Sequence, residues 1–199
     1  MSAILALDPS RFRDYFDLAT LQVFVGDLDG YRSTCCEMLD RFGASAKESP
    51  YLSERLSKTC LLAPGAVGDL GPVVALAARS VDGTENNGAF AWFLVARALA
   101  HYREGQFGET QARLTTFFTL AGEGRNHLTA MAHALQSLSE QQLGNSDAAR
   151  QSLQKARASI SDGLPSPDRG TFFPADWSDW LRCLIMLREA EVLIEKRHP

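Results

Sequence analysis

Apolar residues along this chain recur at intervals of three and four, and nowhere do they alternate over a strand's length. Phe12, Tyr15, Phe16, Leu18, Ala19 and Val23 share one side of a helical period. They predict a helix over 11–25, capped by Asp8 with Pro9 in its first turn and ended at Gly26-Asp27. The same pattern predicts a helix over 29–42 closed by Gly43. Another spans 50–62, started by Ser49-Pro50 and stopped by Ala63-Pro64-Gly65, and a third spans 71–80, opened by Gly71-Pro72. The stretch 89–103 is apolar on several sides, as a helix sandwiched between neighbours must be. Helices over 107–121, 127–142 and 146–161 follow. After a loop over 161–174, which holds three prolines and two glycines, Asp176 caps a last helix over 177–196.

Gly26, Gly65, Gly105 and Gly144 recur at intervals of 39, 40 and 39 residues. Three of them stand where one helix hands over to the next, in Gly-Asp-Leu, Gly-Gln-Phe and Gly-Asn-Ser; Gly65 lies in a longer loop. The flanks of these three agree. Small residues precede them by seven positions (Ala19, Ala98, Ser137), and Tyr31, Thr110 and Ala149 follow by five. Cys35, Leu114 and Leu153 follow by nine, and Met38, Phe117 and Ala156 by twelve. A glycine allows the positive φ of a sharp reversal, and small residues let paired helices approach. A fixed period of this length marks a helical array. The expected fold is all-α: antiparallel helix pairs stacked as a short right-handed superhelix over 1–199, with units near 9–43, 50–80, 89–121 and 127–161 and a capping helix over 176–197.

Composition narrows the function classes. At 45% hydrophobic and 22% charged the chain is ordinary globular material, and its net charge of −4 comes with no dense Lys/Arg block, which argues against nucleic acid. Cys35, Cys36, Cys60 and Cys183 form no CxxC pair. His101, His127, His133 and His198 show no ligand spacing with them, so no metal or cofactor is expected. Free thiols fit a reducing cytoplasm. Residues 1–7 lack a basic stretch before an apolar core, and no apolar run approaches about 20 residues, so neither secretion nor membrane insertion is expected. Catalysis by Cys60 or Cys183 would need a histidine and an orienting group to meet it in space. Nothing in the sequence requires that, and no enzymatic role is expected.

The glycine spacing with its small and large flanking positions resembles the tetratricopeptide pattern, with a period longer than the usual ~34 residues. Tyr31 and Thr110 replace that pattern's alanine. Five blocks carry a closer resemblance: Gly26-Asp27 with Tyr31-Arg32 and Arg41-Phe42-Gly43; residues 60–67; Tyr102 to Phe107; Ala130 to His133 with Asp147 to Arg150; and Asp176-Trp177 with Asp179 to Leu181 and Leu187 to Glu191. Together they resemble the C-terminal repeat region of large bacterial serine/threonine protein kinases and related signalling proteins. The chain carries no glycine-rich phosphate loop, His-Arg-Asp or Asp-Phe-Gly. The resemblance implies a scaffold or regulatory appendage that binds a protein or peptide. The architecture places Arg13, Phe16, Trp92, Tyr102, Arg103 and Met131 on the concave face as partner-binding candidates, with Thr20, Val95, Leu99, Ala134 and Leu138 beside them. Val95 and Leu99 stand where tetratricopeptide chaperone adaptors clamp a terminal carboxylate with Lys and Asn, so that mode is not expected. On the last helix Trp177, Trp180, Leu181, Leu184, Leu187 and Ile194 form a stripe expected to cap the fourth unit. Read as exposed, the same stripe would make the chain a self-association module, a homo-oligomer positioning a fused catalytic domain. Arg182, Arg188, Glu189, Glu191, Glu195 and Lys196 are expected to be its solvated face.

Overall fold

The computed structural model describes residues 11–122, 124, 126–164 and 176–195. Asp8, Pro9, Lys196, His198 and most of the 161–174 loop lie outside them. Among the described residues there are nine helices and no strand. They are α1 (Phe12–Val25), α2 (Leu28–Ala46), α3 (Pro50–Cys60), α4 (Gly71–Val81), α5 (Phe90–Arg103), α6 (Phe107–Ala121), α7 (His127–Gln142), α8 (Ser146–Gly163) and α9 (Trp177–Glu195).

The repeating glycines do what their spacing implies. Gly26, Gly105 and Gly144 have φ of 82°, 75° and 83°, and Gly65, in its longer loop, 72°. At each of the first three the next residue's N–H reaches back across the turn: Asp27 to Gln22 O at 2.8 Å, Gln106 to His101 O and Asn145 to Glu140 O at 2.9 Å. This closure satisfies the last carbonyls of one helix while the chain reverses into the next. The flanking residues are all buried: Ala19, Ala98 and Ser137 before the turn, Tyr31, Thr110 and Ala149 after it. Thr110 Oγ1 lies 3.4 Å from Ala98 O, so the two small positions face one another across the hairpin. Tyr31 departs from the small type for a visible reason. Its hydroxyl donates to Thr59 O at 2.8 Å and accepts from Ala63 N at 3.2 Å, tying the loop after α3 to α2.

Helix α3 ends two residues short of its expected 62, at Cys60, and two other helices run on by two residues or more past their expected ends. Gly43 does not close α2, which runs on to Ala46. Ala46 is fully buried and its carbonyl accepts from Ser53 Oγ at 2.6 Å, which offsets the ~1 kcal/mol cost of a glycine inside a helix. Helix α8 continues to Gly163, whose lack of a side chain admits the Trp180 ring of α9, leaving no room for a Cβ.

The helices form two layers. Odd-numbered helices make the inner one: α1 packs on α3, α3 on α5, α5 on α7, and α7 on α9. Each even-numbered helix packs on the inner helices before and after it. Helix α5, with Phe93, Leu94, Val95, Ala96, Ala98, Leu99 and Ala100 all buried, touches α3, α4, α6 and α7, which is why its sequence is apolar on several sides. The expected cap is present, since α9 covers α7 and α8. It also packs against α1, so the first and last helices touch and the odd-numbered helices form a closed circuit.

Candidate partner-binding face and the helix that covers it

Helix α9 is held in the inner layer by apolar contact and by three arginines. Trp180, Cys183, Ile185, Met186, Leu187, Ala190 and Ile194 are buried along it. Arg182 is 1% exposed; its guanidinium lies 3.3 Å from the centre of the Phe16 ring and donates to Asp179 at 2.9 Å and to Phe16 O at 3.4 Å. Burial pushes Arg182 down to about 10, against the pull of Asp179 and Asp17. Six residues further on, Arg188 covers the Phe24 ring at 4.2 Å and donates to Phe24 O at 3.3 Å. From the opposite side Arg103 of α5 donates to Leu61 O at 2.8 Å, to Leu62 O at 2.9 Å and to both Glu189 oxygens, at 2.5 and 2.8 Å. Burial disfavours charge on Arg103, but the Glu189 carboxylate outweighs it and holds the guanidinium above its usual value.

The solvated face expected of α9 is present in part: Arg188 and Glu195 are exposed, whereas Arg182, Glu189 and Glu191 are drawn into contacts with the array. Arg182 is buried and Glu189 is the partner of Arg103. Glu191 and Glu195 both accept from Arg157 of α8, at 2.8 and 2.7 Å. Glu189, Glu191 and Glu195 find their counterparts on other helices, which local spacing does not report, whereas Arg182 pairs with Asp179 one turn back on α9 itself. Of the stripe read alternatively as a self-association surface, Trp180, Leu187 and Ile194 turn inward at 4–8% exposed, and Trp177, Leu181 and Leu184 are half-buried.

The six partner-binding candidates divide into two groups. Tyr102, Arg103 and Met131 are buried, and burial with nearby Glu189 pushes the Tyr102 phenol up to about 12. Phe16 lies under Arg182. Arg13 and half-buried Trp92 remain at the surface and meet at a cleft of about 300 Å³, where the first turn of α9 leaves α1, α3 and α5 uncovered. Sequence reasoning missed Tyr51, Glu54, Arg55 and Lys58 of α3 and Ser178 and Asp179 of α9, which complete the lining with Phe16, Ala89 and Phe93. Their only signal is one turn of spacing between Tyr51, Arg55 and Thr59 and between Glu54 and Lys58, which any solvated helix also shows. Lys58 and Glu54 are buried, pair with one another, and place the Lys58 ammonium 4.8 Å from the centre of the Trp92 ring.

Beside the cleft the Trp92 ring stands 5.0 Å from the His127 imidazole, which meets Trp180 at 5.7 Å and Asp176 at 3.1 Å. Cys183 approaches the same helix end, but its thiol donates to the His127 backbone carbonyl at 2.8 Å, and burial raises its pKa well above the ordinary thiol range. It is held as a protonated donor, the reverse of an activated nucleophile. His101 pairs with Gln106 at 2.6 Å, and His133 stacks on Phe118 at 4.6 Å. Among the described residues no three His, Cys, Asp or Glu side chains converge as a metal site, and no helix is long and apolar enough to cross a membrane. Against this geometry, no protein-family model, curated protein or solved structure matches the chain.

Proposed function

We propose that this chain is a protein-interaction module: a helical-repeat scaffold that binds a protein or peptide partner and serves as a cytoplasmic regulatory appendage of a bacterial signalling kinase. The observation that supports binding is the seat of α9. The inner layer of the array accepts α9 through apolar contacts, arginine–carbonyl bonds and one bidentate ion pair. Helix-in-groove recognition uses the same elements between chains. In this closed form the chain's own helix fills the groove, so a partner displaces α9 or docks over the uncovered end, at Arg13 and Trp92. The kinase setting rests on the sequence blocks that resemble kinase-attached repeats.

The test is affinity capture from a native lysate by the chain and by its Trp92→Ala variant, with circular dichroism confirming the fold and cross-linking mass spectrometry mapping the contacts. The expected result is a partner cross-linked to α1, α3 or α9 and lost with Trp92→Ala. Equal capture by a folded variant removes the site assignment, and no specific capture by either removes the interaction reading.

A further inference from the structure

Where α4 and α6 flank α5, three basic side chains gather without a counter-ion. Arg97 and His101 stand one turn apart on α5. Thr110 Oγ1, 3.4 Å from Ala98 O, sets the start of α6 alongside them. Gln111 bonds to Gln136 O and Ser139 Oγ of α7, so Arg113, two positions on, faces away from α7 and toward the α4 side. Arg97 Nη1, His101 Nε2 and Arg113 Nε are each buried without a hydrogen-bond partner. Both arginines are half-buried, and neither guanidinium makes an ion pair among the described residues. His101 is 4% exposed. The Gln106 oxygen 2.6 Å from its Nδ1 can only accept, so Nδ1 donates and Nε2 is left bare. Burial lowers Arg97 below its usual value against the pull of Glu104, and Arg113 adds to the lowering. Burial likewise lowers His101 against its bond to Gln106, and both arginines act in the same direction as burial. The carboxylates that act on this group through space are Glu104, Asp82 and Glu109, all exposed and none paired with it. Folded proteins seldom leave three buried polar nitrogens unsatisfied in one place.

We infer that Arg97, Arg113 and His101 form a binding site for a phosphate dianion, held by the two guanidinium groups with His101 Nε2 as a third donor once the imidazole is protonated. Two fixed positive charges match a dianion. Nitrogens on three side chains of two helices can each take a separate oxygen, which a phosphate group offers and a two-oxygen carboxylate does not. A bound dianion replaces the repulsion among the three groups with attraction and satisfies the nitrogens that α5 and α6 leave unpaired. The site uses none of the residues on which the interaction reading rests.

The probes are inorganic phosphate and the blocked amino acid acetyl-phosphoserine-amide, with acetate as the comparison. Each is titrated into the full chain at constant ionic strength, followed by calorimetry and by the His101 ring signals in nuclear magnetic resonance. The expected result is that a phosphate probe binds at least about tenfold more tightly than acetate, a difference of about 1.4 kcal/mol. Binding falls by a similar factor in Arg97→Gln and in Arg113→Gln. Without phosphate both variants melt no lower than the parent, because each removes one of two repelling charges. Phosphate then raises the melting temperature of the parent more than that of either variant, which share its general salt effect. The His101 pKa rises when phosphate is bound, since the dianion favours the imidazolium. Both probes carry the chemistry assigned to the site, and the tighter of the two names its source, the free ion or a phosphate borne on a protein. No binding of either probe at millimolar concentration, equal binding of acetate, or undiminished binding by the folded variants overturns the site. Variants that melt well below the parent without phosphate also overturn it, by showing that the arginines hold the fold. An unmoved His101 pKa at saturating phosphate overturns the third contact.

Discussion

Arg103 divides one guanidinium among Leu61 O, Leu62 O and Glu189, joining the loop after α3, the end of α5 and the middle of α9. Removing it strands a carboxylate and two carbonyls together. Arg103→Met is therefore expected to cost about 3 kcal/mol in urea unfolding, and Arg103→Lys to recover little, because an ammonium cannot serve the same fork. A loss below about 0.5 kcal/mol would mark the contact as incidental. His101 gives a pH prediction. Burial lowers its pKa below the ordinary 6.5, despite the opposing bond to Gln106. In the window between that lowered value and 6.5 the unfolded chain binds the proton and the folded chain does not. Stability therefore falls as pH drops through the window and levels off below it. Glu140, raised by burial, works in the opposite direction, so the His101 contribution is read as the difference between the chain and His101→Gln, measured by thermal melts from pH 7 to 5. A difference that does not change with pH contradicts the assignment. Little of this was legible in the sequence. Arg103, Arg182 and Glu189 have the spacing of solvated residues, and apart from Asp179 beside Arg182 the partners described lie 41 to 166 residues away.

At the scale of the element, sequence reasoning fared better, because helix ends are set by local chemistry. The turn glycines and the caps Asp27, Ser49 and Asn126 act within a few residues of where they stand. Gly43 was misread as a stop because the reason to continue, the burial of Ala46 against α3, is tertiary. The two kinds of glycine make opposite predictions. Gly105→Ala forces a side chain into positive φ and is expected to lose about 1–2 kcal/mol, whereas Gly43→Ala, in a helix interior with open space around it, is expected to gain up to ~1 kcal/mol. Urea midpoints moving the same way for both would refute this division. Gly163 belongs to neither kind. A methyl group there meets the Trp180 ring, so Gly163→Ala is expected to loosen α9 from α8, seen as faster hydrogen exchange in α9 with α2 and α4, which do not pack on it, unchanged.

For the whole molecule, the departure from the expected open array is that α9 touches α1. A stack of helix pairs has two ends; here one added helix joins them, packing on α7 and α8 at one end and on α1 at the other. Nothing in a period of about forty residues announces that closure, because it depends on where the chain goes after the repeat has finished. It places the chain's own α9 between α7 and α1. The contact of Phe16 with Arg182 is the point at which closure is most directly measurable. A double-mutant cycle of Phe16→Leu and Arg182→Met, followed by urea unfolding, tests it. The closed arrangement predicts a coupling of at least about 1 kcal/mol between residues 166 positions apart. Losses that simply add, within about 0.5 kcal/mol, would mean that the first and last helices do not meet.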